Sequence, residues 1–205
     1  MKHTNNKRFW ERFAKFYGPF MNKNKKIYDQ ICVRMKKDLT PDMRVLELAC
    51  GTGQLSFPLA RYVKVWIATD FSAPMIQEAK KIPAPSQLIF SVADATNLSF
   101  ENESFDAVVI ANALHIMPDP DKALKEIHRV LKKDGLLYAP TFIHSTSKKA
   151  ALRIRLMNLI GFHTFYQWDE QQFSLFVEKH GYHISNCSVI DSPLLPLCYL
   201  RARKN

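Results

Sequence analysis

The chain has 205 residues, of which 47% are hydrophobic and 23% are charged, and its formal net charge at pH 7 is +10. These values predict one globular domain with a substantial core, as expected for a soluble protein. No apolar run approaches the roughly 20 residues of a membrane span, and the N-terminus lacks the continuous apolar core of a secretory signal.

The cysteines and the basic residues add two expectations. The four cysteines show no metal-ligand spacing, so we expect reduced thiols in a cytoplasmic protein and no metal. Basic residues cluster in the N-terminal part, in 34–37 and in 148–155. This charge could steer an anionic substrate, contact nucleic acid or weakly contact an anionic surface, or it could simply form a solvated face.

Aromatic residues dominate the first predicted helix. They recur at helical spacing until Gly18-Pro19 interrupts them: Phe9, Trp10, Phe13, Phe16, Tyr17 and Phe20. An amphipathic helix is predicted over 27–35. Residues 7–36 therefore predict either helices packed on the edge of the core or a lid over a binding pocket.

The most informative stretch is 45–62, where an apolar strand ends in Gly51-Thr52-Gly53 and a helix follows. Strand, glycine turn and helix open a nucleotide-binding βαβ unit. The third glycine of a dinucleotide fingerprint is replaced by Ser56, and no P-loop Gly-Lys-Ser/Thr ending is present. Glu47 would repel a pyrophosphate but could hold an ammonium group. A ligand with a carboxylate, an ammonium group and a nucleoside, such as S-adenosylmethionine, fits best.

Two further strands are predicted to end in acids. The apolar stretch 63–70 ends at Asp70, and 87–93 is followed by Asp94. An acid after the second strand can accept hydrogen bonds from ribose hydroxyls, although Asp70 could equally cap the helix predicted over 71–81. Asp70 therefore favours a nucleoside without choosing between a dinucleotide and S-adenosylmethionine.

The second half of the chain continues the alternation of strands and helices. The predicted elements are strands at 107–111 and 136–142, helices at 121–131, 148–160 and 173–180, and final strands at 183–190 and 197–203. Pro140 predicts an early end or a bulge in the fifth strand. Asn112 and His115 follow the fourth strand, and His144 follows the fifth. Because open α/β sheets bind ligands at such strand ends, these residues are candidates for the site.

Three segments together resemble a known family. Glu47 to Gly53 resembles motif I of the class I S-adenosylmethionine-dependent methyltransferases, especially the small-molecule branch that includes ubiquinone/menaquinone-biosynthesis enzymes. The segments 70–76 and 98–106 resemble later motifs of that family. The resemblance implies an α/β fold with a Rossmann-like, doubly wound seven-stranded sheet that is mostly parallel and has an antiparallel C-terminal strand. One domain would cover 1–205, with a lid at about 7–36 and a substrate-specific insertion at about 145–172.

The resemblance also implies the site. Asp94 would accept from the adenine amine, with Ala95 offering its backbone N–H, and Phe71 and Met75 would contact the adenosine. The full predicted cofactor-binding set is Tyr17, Glu47, Gly51, Thr52, Gly53, Asp70, Phe71, Met75, Asp94, Ala95 and Asn112. The cofactor would be S-adenosylmethionine and the product S-adenosylhomocysteine.

The sequence specifies the reaction and the methyl acceptor less closely than it specifies the cofactor. Methyl transfer to a small-molecule acceptor is the favoured reaction, and a planar, hydrophobic or anionic acceptor would suit the aromatic and basic residues. His115 and His144 are candidate bases, although a structural role is favoured for each. The alternatives are an NAD-dependent oxidoreductase, which Ser56 and Glu47 oppose, a nucleic-acid-directed methyltransferase, and a non-catalytic cofactor-binding homologue. No Asn-Pro-Pro-Tyr motif follows the fourth strand, so a nucleic-acid partner is disfavoured.

Overall fold

The computed structural model describes residues 3–21, 24–143, 164–191 and 195–205. The helices are α1 (His3–Met21), α2 (Lys25–Met35), α3 (Ser56–Leu59), α4 (Ala73–Ala79), α5 (Pro120–Val130) and α6 (Glu170–Glu178), with short 3-10 turns at Ala60–Tyr62 and Leu114–Ile116. The strands are β1 (Arg44–Leu48), β2 (Val65–Asp70), β3 (Leu88–Val92), β4 (Phe105–Ile110), β5 (Leu131–Tyr138), β6 (Thr141–Phe142), β7 (Tyr182–Ile190) and β8 (Leu197–Lys204).

These strands form one sheet in the order β3-β2-β1-β4-β5-β8, with β7 on the outer side of β8. The first five strands are parallel, and β8 runs antiparallel to both β5 and β7. Strand order reverses between β1 and β4, which is the place where doubly wound sheets open a crevice for ligands. The predicted fold class, including the antiparallel C-terminal strand, is confirmed.

The short strand β6 continues β5 beyond a proline. Leu136 pairs with Arg203 and Thr141 pairs with Cys198, so both segments follow one register along β8. Pro140 lacks an N–H and breaks the ladder between them, as its position predicts. The eight assigned strands therefore occupy seven positions in the sheet.

The start of β5 differs from the sequence-based boundary. A helix over 121–131 followed by a strand at 136 was expected, but α5 ends at Val130 and β5 begins at Leu131. Leu131 pairs with Phe105 of β4, and a register shift follows before Leu136 joins the ladder. Pairing with a neighbouring strand thus extends β5 through residues whose local pattern indicates a turn.

Local capping sets the start of the helices that follow the strands. The Ser72 side chain accepts from the Met75 N–H at the start of α4, and the Asp119 side chain accepts from the Lys122 N–H at the start of α5. Asp169 and Gln172 form a capping box at α6. These side chains satisfy donors that a helix cannot satisfy itself, so the chain turns into a helix directly after each preceding segment.

The core has two halves, one on each face of the sheet. Alternate strand residues such as Val45 and Leu46 point to opposite faces, as the pleat requires. One face packs against α2, α3 and α4, and the other packs against α5 and α6. In the described ranges no helix is long and apolar enough to cross a membrane.

Candidate functional site

The ends of β1 to β4 and helix α1 enclose a cavity of about 330 Å³. This volume is within the range of small-molecule sites. Many of the residues predicted from the sequence line it: Tyr17, Gly51, Asp70, Phe71, Met75, Asp94, Ala95 and Asn112. The structure therefore brings together residues from five separate parts of the chain.

The glycine turn after β1 forms one wall of the cavity. Gly51 has a φ of +56°, a left-handed conformation that favours glycine. A Cβ on Gly51 would lie 2.6 Å from Cε1 of Tyr17, so the Tyr17 ring rests against the bare backbone of the turn. The turn and helix α1 therefore depend on each other for their positions.

Asp70 at the end of β2 supports that turn. Its carboxylate accepts from the Gly51 N–H at 2.9 Å and from the Ser72 N–H at 2.8 Å. Burial raises the pKa of the carboxyl, and these two N–H groups oppose the rise. The predicted capping of the next helix by Asp70 is wrong, because Ser72 is the N-cap of α4 and, at this helix, Asp70 bonds only the N–H of that cap residue. Asp70 does line the cavity, so a contact with a ligand remains a prediction.

Asp94, after β3, offers a more open carboxylate. It is exposed, and its Oδ1 accepts from both the N–H and the Oγ1 of Thr96 at 2.8 Å. Ala95 and Met75 are buried nearby and give the cavity an apolar wall. A polar edge beside an apolar wall suits a purine, which has an amine edge and a flat apolar face.

Glu47 is placed differently from the expectation. Its side chain is buried and its Oε2 accepts from Ser56 Oγ at 2.5 Å and from Trp66 Nε1 at 2.8 Å. Burial raises the pKa of this carboxyl to about 7. The residue lies behind the turn and is absent from the described cavity lining. A direct contact with a ligand ammonium group stays a prediction, while support of the turn is what the geometry shows.

Thr52 and Gly53 also lie outside the described lining. Thr52 is buried, and its Oγ1 accepts from Gln54 Nε2 at 2.7 Å. Gly53 has a φ of +88°, and a Cβ there would lie 2.7 Å from the Phe57 ring. Both residues therefore shape the turn, and their contact with a cofactor remains a prediction.

Tyr28 of α2 lies between helix α1 and the end of β4. Its Oη accepts from Asn112 Nδ2 at 3.1 Å, and it is close enough to Tyr17 to help raise the pKa of that residue. Burial raises the pKa of both tyrosines, that of Tyr28 to about 12, so both remain protonated at neutral pH. Asn112 has a φ of +53°, and its buried Oδ1 has no hydrogen-bond partner among the residues that the structure describes.

Of the two candidate bases, His115 lies within the described residues and His144 does not. His115 is buried, its ring packs edge-on against Phe142, and it is absent from the described lining. Burial lowers its pKa to about 4, and its Nδ1 has no partner within the described ranges. This environment agrees with the structural role favoured from the sequence. His144 lies outside the described residues, as do 145–163 of the predicted insertion.

The charge of the cavity contrasts with that of the whole chain. Three carboxylates line it, those of Asp70, Asp94 and Asp119, and no lysine, arginine or histidine does so among the described residues. The chain itself carries a formal charge of +10. A cationic ligand is therefore favoured in this cavity, and a pyrophosphate is disfavoured.

Trp10 from α1 and the segment 116–119 after β4 complete the wall. The resemblance implies that the loop 112–119 lines the methyl-transfer site, and this segment belongs to that loop. Asp119 was detectable as the polar residue before a proline at the start of an amphipathic helix. Trp10 was visible only as one of many aromatic residues, because its direction depends on how α1 packs.

Comparison with known proteins agrees with this geometry. Residues 46–139 match the family model described as "Methyltransferase domain". The matched segment is thus similar to a methyltransferase domain, and the strand order and the glycine turn with its two following acids are similar to those of the class I S-adenosylmethionine-dependent methyltransferases.

Two curated relatives share about 40% identity with part of the chain. A demethylmenaquinone methyltransferase from Streptomyces avermitilis is 38% identical over 109 residues, which cover 53% of this chain and 46% of the relative. The enzyme of the same name from Renibacterium salmoninarum is 41% identical over 106 residues, or 52% of this chain and 44% of the relative. The chain thus spans about half the length of the curated relatives it matches.

A solved structure confirms the fold over nearly the whole chain. A methyltransferase of Haloferax volcanii, solved in complex with the Trm112 methyltransferase activator, superposes with a TM-score of 0.81 at 17% identity. The match covers 97% of both chains. At this identity the likeness shows a shared fold and carries no conclusion about substrate.

Proposed function

We propose that this chain binds S-adenosylmethionine in the cavity at the ends of β1 to β4 and transfers its methyl group to a small-molecule acceptor. The observation that carries the proposal is the acidic lining of this cavity in a strongly basic chain. S-adenosylmethionine presents a sulfonium and an ammonium group, and it carries no phosphate that the carboxylates would repel.

Each proposed contact follows from the position of a described group. Asp70 would accept from the ribose hydroxyls with lone pairs left over from its two backbone bonds. Asp94 would accept from the adenine amine, because it is exposed and lines the cavity. Met75 and Phe71 would contact the purine faces. Buried Glu47 would act through the turn that it supports.

The bound cofactor would supply an already activated methyl group. The chain would then contribute mainly by holding the acceptor in line with that methyl group and by excluding water, which can account for several kcal/mol of the barrier. No histidine among the described residues faces the cavity. An acceptor that loses its proton readily, such as a phenol or a hydroquinone, would need no base from the described lining.

Two of the relatives support a particular acceptor class. They are named demethylmenaquinone methyltransferases, and the cavity wall is largely apolar and aromatic, with Trp10, Phe71 and Met117 among its residues. We propose a planar quinol-type acceptor. An oxidoreductase on a related fold would instead need to bind a pyrophosphate against three carboxylates.

Calorimetry tests the cofactor first. We expect micromolar binding of S-adenosylmethionine and S-adenosylhomocysteine and no binding of NAD. Binding of NAD alone would overturn the proposal. An acceptor panel then tests the class, with formation of S-adenosylhomocysteine as the readout. Turnover with a demethylated quinol supports it, and turnover only with RNA, DNA or protein contradicts it.

The proposal includes a cytoplasmic location. Its support is the set of four free thiols, which a reducing compartment maintains. Fractionation of cells that express the full chain tests it. Recovery in an extracellular or periplasmic fraction with oxidised cysteines would contradict it.

A further inference from the structure

Helix α1 has two different faces. Ala14 and Met21 are buried, and Trp10 and Tyr17 line the cavity. These four residues recur at intervals of three or four, so they lie on one side of the helix. The residues of this inner face therefore either are buried in the core or line the cavity.

The outer face carries exposed side chains of two kinds. Arg12, Lys15, Phe16 and Pro19 are exposed and again share one side of the helix. Phe16 is 66% exposed, more than any other large hydrophobic residue in the described part of the chain. Leaving an aromatic ring in water is unfavourable in proportion to its apolar area, so this ring is a candidate contact.

Neighbouring rings extend Phe16 into a ridge. Phe13 lies 6.5 Å from Phe16 between ring centroids, and Phe9 stacks on Phe13 at 5.6 Å with 16° between the planes. Because Phe9 and Phe13 cover each other's faces, the ridge presents ring edges along the helix. Such a ridge suits insertion into an apolar medium better than stacking of bases, which needs open ring faces.

The charge around this ridge is positive. Within α1 the basic residues are Lys7, Arg8, Arg12 and Lys15, and Glu11 is its only acid. Lys25 and Lys26 follow at the start of α2, although Lys25 is paired with Asp29. An aromatic ridge bordered by long basic side chains is the composition of helices that lie in a membrane interface.

We propose that the outer face of α1 docks on the surface of a bilayer that contains anionic phospholipid. Phe16 enters the boundary between head groups and acyl chains, and Arg12 and Lys15 reach up to the phosphates. Juxtaposed basic residues and anionic lipid attract each other, and the attraction decreases with salt. Only the helix surface is involved, so the protein binds reversibly.

This docking surface has a consequence for the cavity. Trp10 and Tyr17 on the inner face line the cavity, so the helix that meets the bilayer is also the cavity wall. An apolar acceptor dissolved in the bilayer would then reach the cavity along α1 without crossing water. The docking itself requires neither cofactor nor catalysis, so it can fail while the proposed methyl transfer stands.

Co-sedimentation of the full chain with vesicles tests the proposal. Vesicles of phosphatidylcholine alone are compared with vesicles in which part of it is replaced by phosphatidylglycerol. We expect sedimentation with the mixed vesicles at low salt, release as salt rises, and little binding to pure phosphatidylcholine. Equal binding to both kinds of vesicle, or binding to neither, would overturn the proposal.

Variants locate the contact on the helix. The pair Arg12→Glu and Lys15→Glu should weaken vesicle binding by at least about 30-fold, since each basic residue near the surface contributes about fivefold. Phe16→Ser should weaken it about fivefold or more. Each variant should keep the calorimetric affinity for S-adenosylhomocysteine, which shows that the fold is intact.

A matched control separates the helix from net charge. Lys37→Glu with Lys125→Glu makes the same change in charge at two exposed positions away from the outer face of α1. We expect this control to retain most of its vesicle binding. Equal losses in the two pairs would show that only net charge matters and would reject the docking face. Binding to single-stranded RNA at the same salt, with no binding to vesicles, would reject it too.

Discussion

The part of the cavity wall built from the ends of β1 to β3 differs from the part at the end of β4 in how its polar atoms are bonded. In the first part, Asp70 accepts from two backbone N–H groups and Asp94 accepts twice from Thr96. Near the end of β4, Asn112 Oδ1, whose residue lines the cavity, and His115 Nδ1, whose residue does not, are buried with no hydrogen-bond partner among the described residues. Thr141 Oγ1 on β6 has no partner among these residues either.

This difference indicates how the two parts are completed. A polar group with its bonds already made holds its position before any ligand arrives, which is preorganisation. A buried polar atom without a partner costs about 1–3 kcal/mol and calls for an explanation such as a ligand or a water molecule. The β1–β3 part is therefore built in advance, and the β4 part gains most from an occupant.

The largest expected effect comes from Gly51→Ala in the preorganised part. The φ of +56° and the approach of Tyr17 Cε1 to 2.6 Å should together cost about 4 kcal/mol of folding free energy. Chemical denaturation measures this loss. In a Tyr17→Leu background the steric share of the cost should disappear and the backbone share should remain. A loss under about 1 kcal/mol would show that the turn is adaptable.

The unfolding free energy measured as a function of pH tests the region at the end of β4, through His115. Its folded pKa of about 4 lies below the ordinary value of about 6.5, so the unfolded chain binds more protons between these values. The contribution of His115 to stability is complete above pH 6.5 and is lost as the pH falls through 4. The loss is about 3 kcal/mol, at about 1.4 kcal/mol per pKa unit.

The variant His115→Phe should remove this dependence. Its unfolding free energy relative to wild type should rise by about 3 kcal/mol between pH 6.5 and pH 4. His183→Phe, at an exposed position, is the control and should leave the profile unchanged. If His115→Phe instead abolished methyl transfer in a folded protein near pH 7, His115 would be a base after all.

The third expected effect is a loss of affinity for S-adenosylmethionine when Asp70 is replaced. Asp70→Asn keeps the shape of the side chain but removes a charged acceptor, and charge-assisted bonds are worth about 2 kcal/mol. We expect S-adenosylmethionine to bind about 30-fold more weakly by calorimetry. Asp42→Asn, in an exposed loop, should bind normally. An unchanged affinity in Asp70→Asn would remove this carboxylate from the proposed ribose contact.

The smallest effect is expected at Asn112. Asn112→Gly removes the side chain and tolerates the φ of +53°. One neutral hydrogen bond is worth about 1 kcal/mol, so the cofactor should bind about fivefold more weakly. If the cofactor bound normally and only the KM of the acceptor rose, Asn112 would belong to the acceptor side, and the contrast between the two parts would become sharper.

Local patterns account for much of the preorganised part. An apolar strand that ends in Gly51-Thr52-Gly53, and two further strands that end in Asp70 and Asp94, are visible in the sequence. Because parallel strands end at one edge of a sheet, predicting the strands also predicts that these residues meet. Capping by Ser72 and Asp119 is equally local.

Side-chain directions were harder to predict. Glu47 is bonded through its Oε2 to Ser56 and Trp66 and is absent from the described lining, because the indole N–H from β2 lies on the same face of the sheet. The start of β5 at Leu131 follows from pairing with Phe105. Both depend on a partner far along the chain, which local periodicity does not contain.

The sequence by itself determined the order of the elements, the glycine turn and the acids at the strand ends, because those signals lie within a few residues of one another. Only the tertiary structure decided that Tyr28 and Asn112 are joined, that His115 is buried with no partner for its Nδ1 in the described part of the chain, and that α1 presents Phe16 to solvent. Those features arise from the packing of separate helices on the sheet, and packing depends on shape and burial across the whole domain.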